Sequence, residues 1–459
     1  MRDFMSSVWR NGPLERVRSL NVYADDRLVG ALHEGDDLWR FGYDPDWAAA
    51  PDGFDLAPGL PREQALHVDG GTSRPVQWFF DNLLPEELLR QAISKEAGIV
   101  GDDAFALLQY LGAESAGSLT LLAPGQALPA RPASGALPDA PDRGRYYELS
   151  DAHLSQRIAA LPGRTLLEGA RKRMSLAGAQ HKLLVAYHDG ALYEPEGAAP
   201  STHILKPDHP ERGSFPASAV NEYLCMRLAQ AAGLAVPAVH LRHVPEPVYI
   251  VDRFDRRVTA QGVQRLHIID ACQLLNRART FKYSGASLQT LLQIIQRTTN
   301  RLHTRLQLFR WLVFNVVMGN DDCHLKNLSF FMAADGIKLA PHYDLLATCA
   351  YHTKAFANDK ARWPNVPMAI ALPNARLFAE VNAASLLAAA QELGVPSAAA
   401  QRILSQVSTR VAAGLPQQID EITKHHALLP VQARVHVGAE VRLMRVVQSI
   451  VVRDMLERL

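Results

Sequence analysis

The chain has 459 residues, with 48 Lys and Arg against 47 Asp and Glu, a net charge of +1, and 48% hydrophobic residues. That length predicts about three domains of ordinary globular composition, enough to bury a sizeable core. The balanced charge excludes a general polyanion-binding surface and leaves any nucleic-acid contact to a local patch.

In chain order, Ser19–Ala24, Leu28–Leu32 and Leu38–Phe41 alternate apolar and polar residues around turn residues and predict a small β meander. Pro-rich sequence follows from Pro45 to Pro61. Trp78-Phe79-Phe80-Asp81-Asn82-Leu83-Leu84-Pro85-Glu86 then leads into a helix ending near Ala97, and Phe105–Leu111 predicts another. The three aromatics read most simply as core, since large rings mainly supply buried area. Residues 123–145 are rich in Pro, Ala and Gly and read as a linker.

The next block opens with Met174-Ser175-Leu176-Ala177-Gly178-Ala179-Gln180-His181-Lys182, ahead of strands Leu183–Tyr187 and Ala191–Glu194. Small residues before a hairpin suit a loop that covers phosphates, because backbone N–H groups can then approach the oxygens closely; turning the chain is the plainer use. Lys206 lies on the strand Thr202–Pro207, and Glu222 on an amphipathic helix from Ser218 to Ala232. A kinase pairs such a lysine and glutamate, although both residues also suit a solvated surface. Val248–Val251 predicts a buried strand running into Asp252-Arg253-Phe254-Asp255. Beyond it the pattern is helical over Ile269–Asn276, Ser287–Thr298, Leu302–Met318, Arg376–Leu393, Ser397–Ala413 and Ala433–Leu459.

Gly319-Asn320-Asp321-Asp322-Cys323-His324-Leu325-Lys326-Asn327 follows the most apolar of these helices. Asp322 and Asn327 have the D-x-x-x-x-N spacing of protein-kinase catalytic loops. Asp335-Gly336 between two β-prone runs predicts a two-residue hairpin turn, which would set Asn327 opposite Asp344 at the open end. A carboxamide and a carboxylate meeting there could hold Mg²⁺, with Asp322 orienting a hydroxyl nucleophile. The alternative is that these residues cap a turn and the start of a helix.

Cys225, Cys272, Cys323 and Cys349 are far apart and form no C-x-x-C pair, which argues against a zinc site or a disulfide framework. No apolar segment follows Met1 and no run of 18 apolar residues occurs, so the expectation is a cytoplasmic protein without a membrane partner.

These residues resemble the HipA-type serine/threonine kinases, toxins of bacterial toxin–antitoxin modules. The resemblance rests on seven blocks in order: Phe79–Pro85, Ser175–Lys182, Thr202–Lys206, Asn221-Glu222-Tyr223, Asp252–Arg256, Asp322–Asn327 and Tyr343-Asp344. It implies an α/β (α+β) two-lobed protein-kinase-like fold: an N-terminal α/β module over 1–122, a β-rich lobe over 146–258 and a helical lobe over 259–459. It also implies ATP and Mg²⁺ as cofactors, with Asp322 the base, Asn327 and Asp344 the metal ligands, and Lys206 paired with phosphates. Ser175, Ala177, Gly178, Ala179, Gln180 and Lys182 would belong to the nucleotide loop. The backbone from Asp252 to Phe254 would hold adenine, and His324 and Lys326 would line the pocket, Lys326 within the catalytic set. Ser175 matches the serine that family members autophosphorylate, a change adding about −1.5 to −2 charge. The implied partners are a protein of translation, such as an aminoacyl-tRNA synthetase, and a helix-turn-helix antitoxin of HipB type carrying most DNA contacts. Two positions depart from the family: His181 stands where an acid is common, and Cys323 replaces a small residue. The rival readings are a small-molecule kinase and a non-catalytic antitoxin-binding corepressor.

Overall fold

The computed structural model describes residues 17–100, 103–128, 146–259 and 262–459; most of the expected linker lies outside them. Alternation over Arg18–Ala24 (β1), Arg27–Gly35 (β2) and Leu38–Tyr43 (β3) buries Leu20, Val22, Val29, Leu32, Trp39 and Phe41. With Leu66–Val68 (β4) and Leu119–Leu122 (β5) these strands form a sheet of order β4-β3-β2-β1-β5. Helices Pro75–Asp81 (α1), Glu87–Glu96 (α2) and Ala104–Leu111 (α3) cover it. Phe79 and Phe80 are core residues, Phe80 lying 5.7 Å from Phe41. The helix they occupy starts at Pro75, a residue suited to a first helical turn.

The second sheet has the order β10-β11-β9-β7-β8-β6. Its strands are Tyr146–Glu148 (β6), Leu183–His188 (β7), Ala191–Pro195 (β8), His203–Pro207 (β9), Val239–His243 (β10) and Pro247–Asp252 (β11). Helix Asp151–Ala159 (α4) closes a separate small core on it, around Leu154, Ile158, Val185, Leu205 and Ile250. Helix Ser218–Ala231 (α5) packs on the other side and belongs to the main core.

Beyond Arg256 the chain forms the hairpin Arg256–Thr259 (β12) and Gly262–Arg265 (β13), then strand Ile268–Asp270 (β14). The helix expected from Ile269 therefore starts only at Ala271–Leu274 (α6), because Ile268 to Asp270 pair with Ser329–Ala333 (β15). Phe281–Ser284 (α7), Leu288–Arg297 (α8) and Arg301–Met318 (α9) follow, then Gly336–Leu339 (β16). The segment expected to be helical from Arg376 instead opens as a strand: Pro367–Leu372 (β17) pairs with Ala375–Leu377 (β18). The helix Ala383–Glu392 (α10) begins only where Asn382 and Ser385 form a reciprocal cap. Helix Ser397–Ala427 (α11) runs well past the expected end, through Pro416, because Leu415, Gln418 and Ile422 remain buried. The expected final helix is two segments, Arg434–Val446 (α12) and Arg453–Arg458 (α13), joined by a π-helical turn over Val447–Val452.

The N-terminal module shares one continuous apolar core with the helical lobe. A buried ionic node ties it to the β-rich lobe as well. Glu114, fully buried after α3, meets Lys172 Nζ at 2.8 Å, Arg253 Nη1 at 3.0 Å and Arg256 Nη2 at 2.9 Å, and accepts from Ser201 Oγ at 2.7 Å. These partners hold its carboxyl well below the ordinary range despite burial. Truncating one member of such a group strands buried charge. Glu114→Ala should therefore lower unfolding stability by about 3–5 kcal/mol, measurable as a shift in urea midpoint.

Candidate functional site

Helix α9 is buried along its second half and stops at Gly319, whose left-handed φ of 60° turns the chain. A Cβ there would meet Val451 Cγ1 at 2.6 Å, so the turn also depends on close packing. The next residues bond among themselves. Asp322 N donates to Asn320 Oδ1 at 3.0 Å, and Asn327 Nδ2 donates to Asp322 O at 3.0 Å. Asn320 Nδ2 in turn donates to Asn315 Oδ1 on α9 at 2.7 Å. The loop is thus fastened to the helix that delivers it.

The hairpin after it forms, with a different register from that expected. Ala333 pairs with Gly336 and Phe330 with Leu339, so the turn residues are Ala334 and Asp335. Gly336 spends its φ of 108° as the first strand residue rather than in the turn. Continued outward, that register sets Asn327 opposite His342, and Asp344 arrives by a further step of chain with φ 58°. A non-glycine residue held in that region marks a segment fixed by its surroundings. Here Ala347 N donates to Asn221 Oδ1 on α5 at 2.9 Å, and Asn221 Nδ2 donates to Tyr351 Oη at 3.1 Å.

Lys206 on β9 is the centre of the site. Its ammonium donates to Glu222 Oε1 at 2.8 Å and Oε2 at 3.0 Å, and to Asp344 Oδ1 at 2.7 Å. Burial alone would lower the Lys206 pKa, but the two carboxylates outweigh it and hold the amine charged. Burial likewise opposes ionisation of Asp344, yet Lys206 brings it down to about 2. Glu222 is pushed up by burial against the pull of Lys206, so Asp344 carries the firmer negative charge. Asp322 is pushed up to about 7, first by burial and then by Asp344 and Asp321, while a hydrogen bond from Tyr283 works the other way. A carboxylate poised there suits proton transfer near neutrality.

The remaining expected residues divide. Gly178 O accepts from Glu86 N at 3.1 Å, which docks the nucleotide loop against the N-terminal module. In that loop Lys182 donates to Ala177 O, and its amine is lowered to about 8 by burial and by Lys206. Gln180 Nε2 reaches Pro207 O at 3.4 Å, and Ala179 lies between. Ser175 is held on the N-terminal module: it is 1% exposed, its Oγ donates to Leu83 O at 2.7 Å, and its N to Glu114 O at 2.7 Å. In this conformation it is a docking residue and not a nucleotide contact.

Lys326 also needs correcting. Its ammonium is buried and donates to Asn82 O at 3.0 Å, Asn82 Oδ1 at 2.8 Å and Asp270 Oδ2 at 2.5 Å. These partners use its protons up, so it braces the loop against the N-terminal module instead of acting on reactants. His324 is held neutral, its pKa lowered to about 4 by burial and then Lys282, and packs edge-on to Tyr283 at 4.9 Å. Phe254 lies between Phe331 and Tyr343, at 6.0 and 5.6 Å. The Asp252 carboxylate faces outward to His203 Nε2 at 3.0 Å and His240 Nε2 at 3.2 Å. This trio has metal-ligand spacing, but Tyr187 N donates to His203 Nδ1 at 3.2 Å. That bond leaves the ring proton on Nε2 facing Asp252, which makes the trio a hydrogen-bonded group.

The HipA-like C-terminal domain profile matches residues 174–415, and the HipA N-terminal domain profile matches 20–122. The chain belongs to the HipA family. The serine/threonine-protein kinase toxin HipA of Shewanella oneidensis is 28% identical over 433 residues, spanning 89% of this chain and 90% of that one. Y4mE of Sinorhizobium fredii, a candidate kinase, is 37% identical over 345 residues, spanning 73% and 78%. The S. oneidensis MR-1 HipA structure, solved with HipB and operator DNA, superposes with a TM-score of 0.70 at 26% identity, covering 95% of this chain and 99% of that one. The two-lobed kinase-like HipA fold is therefore this chain's fold.

Three residues that shape or support this arrangement carry no usable signal of their own in the sequence. Tyr283 and Glu114 reach partners 39 or more positions away in sequence, and Asn320 is an unremarkable member of the loop run. Lys326→Met, which leaves the Asp270 carboxylate buried without its cation, should cost about 3–5 kcal/mol of stability. Chemical denaturation checks this; an unchanged midpoint would restore Lys326 to the reacting set.

Proposed function

We propose that this protein is an ATP- and Mg²⁺-dependent serine/threonine protein kinase and the toxin of a toxin–antitoxin pair. The observation that carries the reading is the buried Lys206 ammonium held between Glu222 and Asp344, with the raised Asp322 carboxyl beside them. Kinase sites arrange a lysine, an acidic metal ligand and an acidic base in this way. The S. oneidensis toxin is named for the same activity.

The donor set fits Mg²⁺. Asp344 is ionised, and Asn327 Nδ2 is held on Asp322 O, which leaves the amide oxygen of Asn327 as an acceptor not used by that bond. Hard oxygen donors of this kind suit that ion, which when bound neutralises charge on the phosphates. The protein's own groups supply the rest. Lys206 meets phosphate oxygens, Asp322 accepts the proton of the attacking hydroxyl, and the docked 175–182 loop covers the nucleotide. The acceptor is a serine or threonine of a translation protein.

Autophosphorylation at Ser175 requires the loop to leave its dock, since Ser175 Oγ is buried on Leu83 O. A phosphoserine would not fit back into that buried contact, where its charge would face the Leu83 carbonyl oxygen, and this would keep the loop out. A helix-turn-helix antitoxin of HipB type is the expected partner, by likeness to the S. oneidensis complex with HipB and operator DNA. The near-zero net charge suits a chain that leaves most DNA contact to that partner.

Incubation with labelled Mg-ATP, followed by phosphosite mapping, tests the reading. Wild type should label Ser175, and Asp322→Asn should transfer about 10²–10⁴-fold more slowly, the usual worth of a positioned base. Equal labelling of the two proteins would remove Asp322 from the chemistry.

A further inference from the structure

Asp322 is not idle. The Tyr283 hydroxyl donates to its Oδ1, and among the described residues this is the side chain recorded donating to that carboxylate. Tyr283 stands on α7, a single helical turn, 45% exposed at the mouth of the site. Its ring is braced edge-on by His324 at 4.9 Å and faced by the Lys282 ammonium at 5.1 Å.

The turn that carries Tyr283 is held from two sides: Thr290 Oγ1 on α8 donates to Gly285 O at 2.6 Å, and the N-terminal module anchors the residues around it. Lys282 Nζ reaches Glu86 Oε2 and Glu87 Oε1, each at 2.7 Å. Arg279 Nε donates to Asp81 Oδ2 at 3.0 Å, and Asn82 Nδ2 donates to Arg277 O at 3.0 Å. A four-residue helix is too short to hold its own geometry. These anchors therefore set where the phenol points.

We propose that Tyr283 is an acceptor-site gate: its hydroxyl sits on Asp322 in the seat of the hydroxyl that is to be phosphorylated, and the N-terminal module holds it there. The inference rests on the kinase reading above. In transfer, the acceptor oxygen bonds to the γ-phosphorus, its proton passes to Asp322, and the bond from phosphorus to the departing ADP oxygen breaks. The acceptor oxygen must lie within about 2.6–3.2 Å of the base for this. Tyr283 Oη already bonds to Asp322 Oδ1, and an acceptor hydroxyl that is to give its proton to that oxygen competes with the phenol for the same lone pairs. An acceptor that uses Oδ1 displaces the phenol, so acceptors that also engage α7 or the exposed Glu87 beside it gain entry over those that do not. Phosphorylation of Tyr283 itself is the other consequence of the same seat.

The test uses full-length wild type, Tyr283→Phe and Lys282→Ala with Mg-ATP, water serving as the acceptor, and phosphosite mapping alongside. Tyr283→Phe removes the competing hydroxyl and should speed ATP hydrolysis about tenfold, the equilibrium weight of one hydrogen bond to a charged group. The KM for ATP should stay unchanged, because the phenol touches the base and not Lys206. Lys282→Ala loosens the turn while keeping the hydroxyl, and should move hydrolysis in the same direction by less. Phosphate found on Tyr283 in the wild type would also support the seat. Hydrolysis by Tyr283→Phe equal to or slower than that of an active wild type overturns the gate and leaves the kinase reading standing. No turnover in any of the three proteins overturns the kinase reading, and the gate with it.

Discussion

One ammonium organises the molecule. Lys206 is buried, and a buried cation is tolerated only when paired and hydrogen-bonded. The cluster draws on three places: β9 supplies the lysine, α5 supplies Glu222, and the left-handed step at Asp344 supplies the second carboxylate. The cluster therefore forms only when the β-rich lobe and the helical lobe close on each other. Each of its members is costly alone, so it specifies that closure more than it adds net stability. The same constraint explains the spare backbone geometry around it. Asn221 pins the chain at Ala347, just after Asp344, and Asn320 pins the chain just before Asp322.

The N-terminal module is the second constraint, and it acts on the site from behind. Asn82 and Glu86, just beyond α1, meet Lys326 in the candidate catalytic loop, and Leu83 O receives the Ser175 hydroxyl. Glu86 N holds Gly178 in the nucleotide loop, while the Glu86 carboxylate holds Lys282 beside Tyr283. One short segment after α1 thus touches the nucleotide loop, the catalytic loop and the turn carrying Tyr283. Burial makes these couplings strong, since a charge at low effective dielectric feels its partner more than it would in water. Whatever binds the N-terminal module acts on a lever already joined to all three.

Much of this was legible in the chain, and the boundary is physical. The D-x-x-x-x-N run, the strand lysine and the helix glutamate are local patterns with fixed spacing, and the lysine and glutamate pair as expected. The meander over β1 to β3 was equally readable, because alternation of period two is a local property. Long-range partners were not readable. Lys326 looks like a reacting cation by its neighbours in sequence, yet its partners Asn82 lie 244 positions earlier. Ser175 looks like a nucleotide contact until Leu83 is beside it. The hairpin register slipped because Asp-Gly serves two kinds of turn, and only pairing decides which residue uses the glycine's freedom. Ile269 to Asp270 and Arg376 to Leu377 read as helix by pattern and became strands because partner strands were available.

The most direct test of the account is the affinity for Mg-ATP of Lys206→Met beside wild type, titrated calorimetrically at one fixed salt concentration. The account predicts that wild type binds, and that the variant keeps its far-UV circular dichroism but loses binding by tenfold or more, about 1.4 kcal/mol. A variant that binds Mg-ATP as tightly as wild type would contradict it, because the ammonium would then be holding the lobes together without meeting a nucleotide.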